Sequence, residues 1–90
     1  MKALTLITTY AGKVDSVAKA LRNIKAEINE VLIVTGRADV AVFSEGSIKD
    51  INNTIIKIGK IKGVLTTETG SVETIDFSPL YMELHHEINV

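Results

Sequence analysis

Thr35, Gly36, Arg37, Ala38 and Asp39 place a hydroxyl, a glycine, a cation and a carboxylate in one short stretch of chain. Two apolar runs enclose them, Val31-Leu32-Ile33-Val34 before and Val40-Ala41-Val42-Phe43 after. These groups suit a zwitterion: an aspartate accepts hydrogen bonds from an ammonium, while backbone N–H groups near a glycine and a threonine hydroxyl hold a carboxylate. Thr66, Thr67 and Thr69 offer further hydroxyls. The same residues also make an ordinary turn, in which Gly36 takes a positive φ, Asp39 closes the turn and Arg37 is exposed. Both readings fit the residues.

Nothing else has the spacing of a reactive site. The only histidines, His85 and His86, are adjacent, and neighbouring residues point in different directions. With Glu83 and Glu87 they would make at most a loose metal site; a solvated tail is the expectation. The chain has no cysteine, which excludes disulfides, thiolate metal sites and cysteine nucleophiles. Gly36-Arg37-Ala38-Asp39 and Gly70-Ser71 lack the spacing of a phosphate-cradling loop. Lys49, Lys57, Lys60 and Lys62 have no interleaved aromatics and read as a solvated face. Asn52-Asn53-Thr54 matches a glycosylation sequon but falls within an expected helix. No catalytic residue, metal or cofactor is expected.

Ninety residues make one domain with a modest core. Ten basic and 11 acidic residues nearly cancel, leaving no electrostatic footprint for nucleic acid. No apolar run approaches the roughly 18–20 residues of a membrane span. The N-terminus lacks a small-residue cleavage site, so a cytoplasmic protein is expected. Hydrophobic residues make up 46% of the chain, more than a domain this small easily hides, which points to a partner surface.

The elements that hold the Thr35 to Asp39 stretch follow from periodicity. Residues 3–9 are β-branched and apolar and read as a strand. Val14, Val17, Ala18, Leu21 and Ile24 recur at helical spacing, with Asp15, Lys19, Arg22 and Lys25 on the other side. Strands are expected over residues 31–35 and 40–44, joined as a β-hairpin. Ser47 and Asp50 have the spacing of a capping box, and Ile48, Ile51, Ile55 and Ile58 mark the stripe of a second helix. Lys62-Gly63 is expected to end it, with Gly63 as the left-handed cap. A fourth strand covers residues 64–69 and extends towards Ile75. Each helix is followed by an apolar strand ending in Thr-Gly, at Thr35-Gly36 and Thr69-Gly70. The order β-α-β-β-α-β predicts a ferredoxin-like α+β sandwich, a four-stranded antiparallel sheet with both helices on one face. Residues 1–76 form this domain, and residues 77–90, with the only proline, form a C-terminal tail of unassigned conformation.

A sheet with one wet face should alternate apolar and polar residues. These strands do not: Val31 and Ile33 oppose Leu32 and Val34, and Val40 and Val42 oppose Ala41 and Phe43. Two helices cover one face only, so the other is expected to pack on another chain, most simply a second copy. The rival cover is the tail itself, through Phe77, Leu80, Tyr81, Met82 and Leu84.

The chain also resembles the effector-binding domain of the Lrp/AsnC family of transcription regulators. The matching pieces are the opening strand, Gly12 before the first helix, the Val31 to Val40 run with its Thr-Gly-x-x-Asp core, and Ile58-Gly59-Lys60-Ile61-Lys62-Gly63-Val64-Leu65-Thr66-Thr67-Glu68-Thr69. Together they span about residues 3–72. The resemblance implies a homodimer paired through the sheets, assembly of dimers into an octamer, and a small amino-acid effector bound between dimers near the Gly-x-x-Asp loop. Carried onto this sequence, it points to Thr35, Gly36, Arg37, Asp39 and Val40, with Thr66, Thr67 and Thr69 as lesser candidates. Full-length members carry a helix-turn-helix ahead of this domain. Here the chain starts at the first strand, so the resemblance is to a stand-alone form, expected not to bind DNA by that route and to have a full-length regulator as a further partner. Two other readings stay open: a ligand-free assembly or adaptor module, and a small dimeric ferredoxin-like enzyme. The strands lack the polar cavity residues that such enzymes use.

Overall fold

The computed structural model describes residues 1–24 and 26–72. The expectations for Lys25, for an extension of the last strand to Ile75, and for the tail with its apolar residues, His85 and His86 lie outside the described residues.

The chain runs β1 (Lys2–Thr9), α1 (Val14–Asn23), β2 (Ile28–Ile33), β3 (Val40–Glu45), α2 (Ile48–Gly59) and β4 (Val64–Val72). One four-stranded sheet has the order β2-β3-β1-β4, and every neighbouring pair is antiparallel. This is the expected ferredoxin-like sandwich.

Strand alternation sorts the side chains. On one face lie Ala3, Thr5, Ile7 and Thr9 of β1, all buried, with Val40 and Val42 of β3 beside them. Ile7, Val40 and Val42 pack with Val17 and Leu21 of α1 and Ile58 of α2, so both helices cover this face. A buried Thr5 in such a core needs a partner for its hydroxyl, and Thr69 Oγ1 lies 2.8 Å away. Among the described residues no buried side-chain polar atom lacks a hydrogen bond.

The other face carries Leu4 and Leu6 of β1, Ala41 and Phe43 of β3, and Leu32 of β2, with no helix over them. Register places Gly70 opposite Leu4 on β4 and Glu68 opposite Leu6. The missing side chain at Gly70 leaves a cavity of about 240 Å³ lined by Leu4, Leu6, Glu68, Thr69, Gly70, Ser71 and Val72.

Three details differ from the sequence expectation. β2 starts at Ile28 and stops at Ile33, because Ile28 already pairs with Ser44 across a bulge and the chain leaves the sheet before Val34. Ile48, the first residue of α2, is exposed. Thr54 is buried in the stripe with Ile51 and Ile58, while Ile55 is half-buried. Thr54 satisfies its hydroxyl by donating to the Asp50 carbonyl (2.9 Å) and accepting from the Glu27 N–H (3.3 Å). Finally, α2 ends at Gly59 with Lys60 as a right-handed cap, and Gly63, at φ +103°, serves the turn into β4 instead. The capping box is present as expected: Ser47 Oγ accepts the Asp50 N–H at 3.1 Å, and an Asp50 carboxylate oxygen accepts the Ser47 N–H at 3.0 Å. These hydrogen bonds, the backbone one from Ser47 foremost, hold the Asp50 carboxyl below its ordinary value.

Candidate functional site

The loop of residues 34–39 joins β2 to β3. It is longer than a two-residue hairpin turn, and its base is closed by the Val34 N–H donating to the Asp39 carbonyl at 2.9 Å. Gly36 sits at φ +105° with open space where a Cβ would stand, so glycine is required here by backbone conformation rather than by crowding. Thr35, Gly36 and Arg37 are exposed, and Ala38 is buried, so the tip faces outward while its C-terminal side is anchored.

Asp39 supplies the anchor. Its N–H donates to the Ile7 carbonyl at 2.9 Å. Its Oδ2 accepts two hydrogen bonds from Thr9, the backbone N–H at 2.8 Å and the hydroxyl at 3.2 Å. β3 pairs with β1 only as far as Val40 opposite Ile7, so β1 outruns it by two residues. The Asp39 carboxylate takes the Thr9 N–H that the β3 main chain does not reach. Next along, the Tyr10 N–H donates to the Gly63 carbonyl at 2.9 Å, which ties the same corner to the start of β4.

Arg37 reaches Glu68 of β4 at 3.5 Å, with both side chains mostly exposed. The pair sets a cation and an anion next to each other beside the cavity at Gly70. Val40 is fully buried against the core and shapes the loop's exit without presenting a surface. The threonines divide. Thr66, opposite Thr8, lies on the open face of the sheet, whereas Thr67 and Thr69, opposite Ile7 and Thr5, lie on the helix face. Thr69 is engaged with Thr5. The structure therefore gathers Thr35, Gly36, Arg37 and Asp39 in one loop and splits the threonine cluster across the sheet. Thr9 and Glu68 are the partners that sequence reading did not name, being 30 and 31 residues from Asp39 and Arg37.

Among the described residues, no group of three or more His, Cys, Asp or Glu side chains is placed to hold a metal ion. Among them, too, no helix is long and apolar enough to cross a membrane.

No protein-family model and no curated protein matches the chain. Solved structures do. FFRP-DM1 is 31% identical and superposes with a TM-score of 0.72 over 80% of this chain and 97% of that one. E. coli AsnC, 22% identical, has a TM-score of 0.75 over 86% of this chain, which spans about half (53%) of AsnC. The transcriptional regulator NMB0573 of Neisseria meningitidis, solved as a complex with L-Met, is 13% identical with a TM-score of 0.67, covering 81% of this chain and 49% of the regulator. The last two likenesses show the fold. The match to FFRP-DM1, at 31% identity, extends over nearly all of that chain: the chain belongs to the Lrp/AsnC family of transcription regulators and corresponds to its effector-binding domain.

Proposed function

We propose that this chain is an amino-acid-sensing regulatory domain and not an enzyme. Two copies pair through their open sheet faces, and a small amino acid is held at a seam between subunits by the loop of residues 34–39. The observation that carries the reading is the apolar sheet face left uncovered by both helices, with an outward-facing polar loop at its margin. Burying Leu4, Leu6, Leu32 and Phe43 against a second copy supplies a part of the roughly 1.5–3 kcal/mol that full burial of an exposed large side chain gives, since Leu4, Leu6 and Phe43 are already half-buried. Within the loop, backbone N–H groups around Gly36 and the Thr35 hydroxyl suit a carboxylate, and Arg37 adds a cation. Thr66 on the open face is an auxiliary donor, and Thr67 and Thr69 act through the packing of β4. The complex of NMB0573 with L-Met supports an amino acid as the class of ligand. In this reading dimers assemble further, to an octamer, and a full-length regulator of the family is the partner whose assembly state the domain modulates in the cytoplasm.

Calorimetric titration of the assembled protein with the standard amino acids tests the proposal. Saturable heat from at least one is expected; no heat from any of them overturns it. The uncovered sheet face by itself also fits a ligand-free adaptor module, for which co-assembly with a full-length regulator would proceed equally with and without amino acids.

A further inference from the structure

We infer that Asp39, the acidic member of the loop motif, is a positioning residue: it holds the ligand loop against the end of β1 through Thr9 and does not itself meet the ligand's ammonium. The inference rests on the amino-acid-sensing reading for its functional meaning, but its structural half stands independently.

Three polar groups of Asp39, the N–H, the carbonyl and Oδ2, are committed inward. Its backbone N–H goes to Ile7, its carbonyl takes the Val34 N–H, and its Oδ2 takes both the N–H and the hydroxyl of Thr9. Thr9 is only 8% exposed, so its two donors have few other acceptors and must be satisfied within the fold. A carboxylate oxygen that accepts two convergent donors is also fixed in rotamer, which sets where the loop begins its return to β3. Thr35, Gly36 and Arg37, by contrast, are all exposed, and they carry what the ligand meets. The division predicts a particular chemistry of substitution. What Thr9 requires is an acceptor oxygen, not a negative charge, so an asparagine presents the same oxygen to the same two donors. An ammonium ligand would require the charge.

The test compares Asp39→Asn, Asp39→Ala and Thr9→Val with wild type, by amide hydrogen exchange over residues 7–10 and 34–40 and by titration with L-methionine. Asp39→Asn is expected to retain wild-type protection at Thr9 and L-methionine affinity within about threefold. Asp39→Ala should accelerate exchange at Thr9 by about tenfold or more and weaken binding in parallel, with Thr9→Val intermediate in both. Two results overturn the inference: Asp39→Ala leaving Thr9 protection unchanged, or Asp39→Asn keeping that protection while losing about tenfold or more in affinity, as expected of a lost ammonium contact. If wild type binds no L-methionine, that result counts against methionine as the ligand, and the exchange measurement alone decides whether Asp39 holds the loop.

Discussion

Gly63 and Gly36 have nearly the same backbone and opposite surroundings, and alanine at each separates two physical effects. At Gly63 φ is +103°, and an added Cβ would lie 3.0 Å from Lys13 Cβ and 3.0 Å from Val17 Cγ2. At Gly36 φ is +105°, and an added Cβ would meet nothing within 4 Å. Forcing an L-residue into left-handed backbone costs about 1–2 kcal/mol, common to both variants. Val17 is fully buried and cannot yield, so Gly63→Ala adds an overpacking term of about 1–3 kcal/mol. The sums are about 2–5 kcal/mol for Gly63→Ala and about 1–2 kcal/mol for Gly36→Ala, against a total of roughly 5–15 kcal/mol for a small domain. Gly59→Ala is the control: it closes α2 with open space for its Cβ and no left-handed φ, and it should stabilise by a few tenths of a kcal/mol. Urea unfolding of the three variants at one fixed protein concentration reads these differences as midpoint shifts with unchanged slope. Equal midpoints for Gly63→Ala and Gly36→Ala would refute the idea that the approach of α1 to the α2–β4 turn is tight. Only Gly36→Ala should then lower amino-acid binding disproportionately to its stability loss.

Phe43→Glu places a carboxylate at the middle of the open sheet face and is expected to convert a dimer to monomer at micromolar concentration; sedimentation velocity that shows an unchanged dimer refutes pairing through that face. Arg37→Ala removes an exposed ion pair and should change stability by less than about 0.5 kcal/mol while weakening amino-acid binding, as unfolding and titration on the same samples would show. The Asp50 carboxyl is held below its ordinary value of 3.8 in the folded state, so its stabilising effect is present above that value and fades as pH falls through the folded value. The stability gap between wild type and Asp50→Asn should accordingly be full at neutral pH and narrow below about pH 4; a gap unchanged down to about pH 2 contradicts the capping box as its source.

Periodicity made most of the fold legible. Val17 and Leu21 recur at helical spacing and are buried, and the Ser47/Asp50 pair forms the cap that its spacing announces. Ile48 and Thr54 show where that logic stops. Hydropathy ranks the isoleucine inside, but it opens the helix and is exposed, and the threonine is buried because its hydroxyl has an acceptor one turn back and a donor in Glu27. Strand β2 begins earlier than its apolar run because a bulged register lets Ile28 pair before Val31 does. The candidate loop was legible as a run of residue types. Its wiring was not, since the bond from Thr9 to Asp39 and the ion pair from Arg37 to Glu68 exist only once register has brought distant strands side by side. No local pattern encodes a contact of that kind.

The hydrogen bond from Val34 to the Asp39 carbonyl makes the β2–β3 connection a closed ring with a fixed base and a free tip. Conformational demands on the tip then reduce to one, the left-handed backbone at Gly36. Thr35 and Arg37 can be exchanged without reworking the sheet, because nothing in the base depends on their side chains. Under the proposed function the ring is a socket: a change of ligand preference is expected from substitutions at these two positions, with the frame that presents them held constant.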